Sequence, residues 1–229
     1  MIPKERITVL ADANAVATHA AEAIATAAWD AVHRRGEFLL AVSGGSTPLA
    51  MFDALAELDV PWARVHLFQV DERVAPAGDA ARNLAGLEAH LISRIGLPAD
   101  QLHAMPVEAV DRVNAAALYA DTLHRVTGTP PMLDLIHLGL GADGHTASLV
   151  PGDAALEATE DVVVTAPYQG HRRMTLTYPV LARARRLLWV VTGEGKGEAL
   201  DRLVWGDPGI PAGRVAAERA EVIADRAAG

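Results

Sequence analysis

Short apolar runs alternate along this chain with longer segments of helical spacing, and several of the runs are apolar at consecutive positions. Phe38 to Val42, Val65 to Val70, Leu133 to Leu138 and Leu187 to Thr192 read as strands. A strand wetted on one face would alternate apolar with polar residues. These do not, so the sheet they build is expected to be covered on both faces. Between them lie an Ala-rich helix capped by Asp12 and stopped at Gly36, and a helix with Thr47 as N-cap and Pro48 as first residue. Two more helices are expected, from about Asn83 to Ile95 and across roughly Ala109 to Val126. Further strands are expected at Val162 to Thr165, Met174 to Thr177 and Glu221 to Ala224, with another helix after Lys196. That order predicts an α/β fold, a three-layer α/β/α domain with a mostly parallel central sheet. At 229 residues and 51% hydrophobic content, without repeats or a long linker, residues 1–229 are expected to be one domain.

Charge narrows the partners. The formal net charge of −9 comes without a dense Lys/Arg block, Arg183, Arg185 and Arg186 coming closest, which argues against nucleic acid or an anionic membrane. A negative chain binds an anion only through local positive groups, so isolated Arg, Lys or helix N-termini in loops are the places to look. The chain contains no cysteine, which removes disulfides, thiolate catalysis and Cys-ligated zinc together. Met1 to Leu10 lacks an apolar core of signal-peptide length, and no apolar run is long enough to cross a bilayer, so a cytoplasmic protein is expected.

In an open parallel sheet, ligands sit beyond the carboxyl ends of the strands. Four loops of unusual chemistry follow expected strands: Ser43 to Thr47, Asp71 to Arg73, Gly139 to His145 and Gly193 to Lys196. Parallel strands would bring all four to one edge. In Ser43-Gly44-Gly45-Ser46-Thr47-Pro48 the glycines permit close backbone approach, and the helix N-terminus favours an anion; an ordinary βα turn would need fewer glycines. A serine nucleophile is disfavoured because Pro48 stands where the G-x-S-x-G elbow needs glycine. Asp71-Glu72-Arg73 offers two carboxylates to orient a polyol and a guanidinium for an anion, or is a solvated charged turn.

Gly139-Leu140-Gly141-Ala142-Asp143-Gly144 formally matches a dinucleotide fingerprint. Two features speak against it: Asp143 would face a pyrophosphate, and Glu160 and Asp161 precede the next strand instead of ending it. His145 is the stronger clue. Its ordinary pKa near 6.5 suits general-base chemistry, though a histidine capping a turn is an equal alternative on this loop alone. No second histidine stands at i+4, so no metal site is expected. Lys196 at a helix start is electrostatically unfavourable unless an anion is near. Arg172 and Arg173 read by default as an exposed basic turn before a strand.

Taken together, these segments resemble the 6-phosphogluconolactonase family within the glucosamine-6-phosphate isomerase superfamily. The carriers are Ser43 to Pro48, Val70 to Arg73 with Asn83, Leu138 to Leu149, Arg173 to Thr177, and Gly195-Lys196, in matching order over nearly the whole chain. The resemblance implies hydrolysis of 6-phospho-D-glucono-1,5-lactone, the second step of the oxidative pentose phosphate pathway, with no cofactor. It implies a glucosamine-6-phosphate isomerase/ribose-5-phosphate isomerase-like fold. It further implies His145 as general base, Asp143 placing that histidine and Arg73 orienting the substrate. Gly44, Gly45, Ser46, Thr47, Arg173 and Lys196 would form the phosphate cradle, with Asp71 among the substrate-binding groups. A monomer or weak homo-oligomer is expected. Arg82 stands where the family usually has Ser, and Val150 where Phe is usual.

Two other readings compete. An aldose–ketose isomerase or deaminase of the same superfamily needs a further carboxylate soon after the Asp-Gly-His run, but Thr146 to Pro151 supplies none and the next acid is Asp153. Arg73 also replaces the Tyr common in the deaminase branch. A non-catalytic sugar-phosphate sensor would usually carry a DNA-binding segment, and none is read ahead of Asp12.

Overall fold

The computed structural model describes residues 1–215 and 217–229. Its main element is a seven-stranded sheet, parallel at every pairing: β1 (Ile7–Leu10), β2 (Phe38–Val42), β3 (Val65–Gln69), β5 (Leu102–His103), β6 (Leu135–Leu138), β9 (Leu187–Val191) and β10 (Ala220–Asp225). The strands lie in the order β1-β10-β9-β6-β2-β3-β5. A second, antiparallel sheet joins β4 (Asp71–Arg73), β8 (Arg173–Leu176) and β7 (Val162–Val164) in the order β4-β8-β7.

The period of two along each strand sends apolar side chains to both faces. In β9, Leu188 and Val190 join one core while Leu187, Trp189 and Val191 join the other. In β6 the same division separates Leu135 from Ile136 and Leu138. The first core is covered by α1 (Ala13–Arg35), α2 (Thr47–Ala56) and α3 (Asn83–His90). The second is covered by α4 (Arg112–Thr127), α5 (Tyr178–Arg183), α6 (Gly197–Trp205) and the small sheet. The expected three-layer α/β/α architecture is the one observed.

Local signals act as expected where they are strong. Asp12 accepts from the Ala15 N–H at 2.9 Å, and Gly36 ends α1 at φ +86°, a left-handed conformation cheap only for glycine. Four expectations need correction. Asp71 to Arg73 is a strand, not a loop, because its backbone pairs with Arg173 to Thr175. The segments at Val162 and Met174 belong to the small antiparallel sheet and not to the main one. Ser46, not Thr47, holds the N-cap position of α2, and its side chain makes no capping hydrogen bond. α3 also ends at His90, with a separate 3₁₀ turn at Ile92–Arg94, instead of running to Ile95.

Candidate active site

The carboxyl ends of β2, β6 and β9 open onto one cleft. Gly44, Gly45, Ser46, Thr47, Asp71, Arg73, His145, Arg173 and Lys196 all line it, and Asp143 stands behind His145. Parallel strands thus gather three of the four loops as expected, while the Asp71–Arg73 strand enters from the side through the small sheet. Ser43, Asn83, His137, Ala147 and Thr192 also line the cleft, although none was singled out as a site residue from the sequence.

The loop after β6 is built around one pair. His145 Nδ1 lies 2.5 Å from Asp143 Oδ1, and the His145 backbone N–H donates to the same oxygen at 3.2 Å. An ionised carboxylate only accepts, so Nδ1 carries the proton and Nε2 of the neutral ring is the unprotonated nitrogen. Burial opposes the charge on Asp143. The His145 ring, the His145 N–H and the Tyr168 hydroxyl outweigh it and hold the carboxyl below its ordinary value. Gly141 explains why this turn needs glycine: a Cβ there would lie 2.0 Å from His145 Nδ1 and 2.6 Å from Asp143 Oδ1. The second glycine of the apparent dinucleotide fingerprint makes room for an imidazole.

The small sheet positions the cations. β4 and β8 set Arg73 directly opposite Arg173. Like charges facing each other across a ladder are destabilising, so this register costs energy unless negative charge lies nearby. Asp71 supplies one such charge. Arg173 is not the exposed basic turn expected from sequence; it is buried, and among the described residues its Nε has no hydrogen-bond partner. Burial holds its guanidinium below the ordinary value, with Asp71 opposing and Arg73 adding to the depression. Asp71 is buried too, and burial raises its carboxyl against the Ser148 hydroxyl, which donates to Oδ2 at 2.6 Å, and the charge of Arg173. Lys196 arrives from the loop before α6 and donates from Nζ to the Leu140 carbonyl at 2.9 Å. The lining therefore carries Arg73, Arg173 and Lys196 against Asp71, a local positive excess in a chain of net charge −9.

Glu72 does not face a ligand, contrary to its reading as a polyol-orienting carboxylate. It is fully buried and accepts from Gln69 Nε2, the Arg73 N–H and the Asn83 and Leu84 N–H groups at the start of α3. Arg82, unusual for its position, pairs with it at 3.1 Å and with Glu108 at 2.7 Å. The network docks α3 beside the glycine loop. Asn83 then donates to the Asp71 carbonyl at 3.0 Å and packs so closely that a Cβ on Gly44 would lie 2.2 Å from its Cγ. Among the described residues no group of three His, Asp or Glu is placed to hold a metal ion, and no helix is long and apolar enough to cross a membrane.

Comparison with known proteins matches residues 11–224 to the family described as glucosamine-6-phosphate isomerases/6-phosphogluconolactonase. A 6-phosphogluconolactonase of Nostoc sp. is 35% identical over 202 residues, covering 86% of this chain and 84% of that protein. The human GDH/6PGL endoplasmic bifunctional protein is 42% identical over 177 residues, which cover 73% of this chain; the chain spans only 22% of that relative's length. The crystal structure of 6-phosphogluconolactonase from Thermotoga maritima superposes with a TM-score of 0.86 at 27% identity, covering 96% of this chain and 98% of that one.

Proposed function

The chain belongs to the glucosamine-6-phosphate isomerase/6-phosphogluconolactonase family, and we propose that residues 1–229 form one catalytic domain that hydrolyses 6-phospho-D-glucono-1,5-lactone in the cytoplasm. The observation that carries this reading is the Asp143–His145 pair standing at the edge of a cleft lined by three cations. His145 Nε2 takes a proton from a water, and the oxygen attacks the lactone C1. The tetrahedral oxyanion forms beside Arg73, which orients the substrate. On collapse the C1–O ring bond breaks, and His145 returns its proton to the departing ring oxygen. The product carboxylic acid then loses its own proton to solvent. Asp143 keeps the Nδ1 proton in place and stabilises the imidazolium between the two steps.

The phosphate is assigned to the backbone N–H groups of Gly44 to Thr47 at the start of α2, with Arg173 and Lys196. A dianion there also relieves the facing of Arg73 and Arg173. The isomerase or deaminase reading is less well supported: Val150, soon after the Asp-Gly-His run, is apolar and buried, and Asp71 is the single carboxylate lining the cleft among the described residues. The test is a coupled lactonase assay corrected for spontaneous hydrolysis, run beside an ammonia-release assay on glucosamine 6-phosphate. Lactone turnover without ammonia supports the proposal, and the reverse overturns it.

A further inference from the structure

β7 and β8 are joined by a tight hairpin whose tip reads Tyr168-Gln169-Gly170-His171. Tyr168 and His171 exchange backbone hydrogen bonds at 2.9 and 3.2 Å, and Gln169 and Gly170 both have positive φ, +49° and +85°. Two central residues with positive φ make the turn type that matches strand twist, so the tip is a defined structure and not a loose loop. It delivers the Tyr168 side chain to two residues of the cleft wall, His145 and Arg173, and to Asp143 behind them. The hydroxyl donates to Asp143 Oδ2 at 2.9 Å. The ring stands edge-on to the His145 imidazole, with centroids 5.5 Å apart at 65°. The Arg173 guanidinium carbon lies 4.9 Å from the centre of the same ring.

We propose that Tyr168 is a positioning residue of this site, locking the Asp143 carboxylate against His145 and tying that pair to Arg173. The inference rests on the reading of His145 as the base. Asp143 sits on an exposed loop, and the terminal torsion of an aspartate is soft. Its Oδ1 is occupied by the His145 ring and backbone N–H, while among the described residues Oδ2 is held by Tyr168 alone. Without that second tether the carboxylate can turn, and the Nδ1 proton loses its fixed acceptor. The ring adds a wall that limits imidazole rotation and a face for Arg173, so the base and an anion-binding cation share one support. The charged and titratable groups facing the pair are few: His145 and Tyr168 face Asp143, while Arg173 and Asp143 face Tyr168.

Tyr168→Phe separates this role from simple packing, because it keeps the ring and removes only the hydroxyl. The Asp143 carboxyl, followed by carbon-13 NMR titration, should then titrate at higher pH than in the unaltered protein, since one hydrogen bond to its charged form is gone. Turnover of the phosphorylated lactone should fall about tenfold with KM little changed, about the worth of one hydrogen bond to a charged group. Tyr168→Ala should also raise KM several-fold, roughly what a partly exposed cation–π contact contributes. An Asp143 titration that does not move in Tyr168→Phe overturns the inference. The titration needs no turnover, so it is read independently of the base assignment. That assignment fails separately, if His145→Asn keeps full activity.

Discussion

Gly141 shows how much of this site is decided by single residues. A side chain there would occupy the space of the His145 ring, so Gly141→Ala must displace either the imidazole or the backbone turn. If His145 is the base, displacing it by about 1 Å can cost about 10²-fold in rate. Gly141→Ala is therefore expected to lose about that much turnover while the thermal unfolding midpoint stays close to that of the unaltered protein. A large fall in the midpoint with the remaining activity per folded molecule unchanged would contradict this account. The residue scale is also where the sequence was most legible. His145, Asp143, Arg73, Lys196 and the glycine loop stand out in the sequence as candidates because polar groups at the ends of apolar strands are chemically conspicuous, and they meet at one cleft. Tyr168 could not: its importance lies in contacts with Asp143, His145 and Arg173 that no local pattern marks. Arg173 was named through family resemblance, while its local setting in the sequence suggested an exposed turn.

The elements were legible where period and caps agreed. α1 and strands β2, β3, β6, β9 and β10 stand within a few residues of their expected bounds. The small sheet was not legible as a separate sheet, because three- and four-residue strands carry too little pattern to reveal their partners. Asp71-Glu72-Arg73 is the clearest case: its charges resemble a turn, yet Glu72 is a buried hub between β4 and α3. Removing one side of a buried, hydrogen-bonded ion pair commonly costs about 3–5 kcal/mol. Glu72→Ala is expected to lower unfolding free energy in urea by that order, because Arg82 loses its ion-pair partner and the α3 N–H groups lose their acceptor. A loss below about 1 kcal/mol would mean that α3 is held by other contacts.

For the molecule as a whole, one buried and one half-buried histidine link stability to pH. Burial pushes His137, inside the first core face, down to about 3. His103 falls to about 4, through burial first and then the neighbouring His66 and Arg125. Both titrate near 6.5 in the unfolded chain, so between pH 6.5 and about 4 the unfolded state binds more protons and stability is lost as pH falls. Each such proton is worth about 1.4 kcal/mol per pH unit where the difference is complete. Asp71, raised by burial, contributes with the opposite sign above pH 3.8 and offsets part of the slope. Urea midpoints should thus decline from pH 7 to pH 4.5, and His137→Leu should flatten the decline. A flat profile in the unaltered protein would contradict the reading of His137 and His103 as neutral in the folded state. At this scale the three-layer architecture followed from strands apolar on both faces, whereas strand order did not, since no strand sequence names its neighbour.

We propose that His145, oriented by Asp143, activates water against a phosphorylated lactone bound by the cations of one cleft. The most direct measurement compares the protein with its His145→Asn variant in a lactonase assay corrected for spontaneous hydrolysis, with 6-phosphogluconate affinity measured alongside. Turnover is expected to fall by roughly 10²–10⁴-fold, the usual worth of a general base, while affinity changes much less. Undiminished turnover in His145→Asn would contradict it.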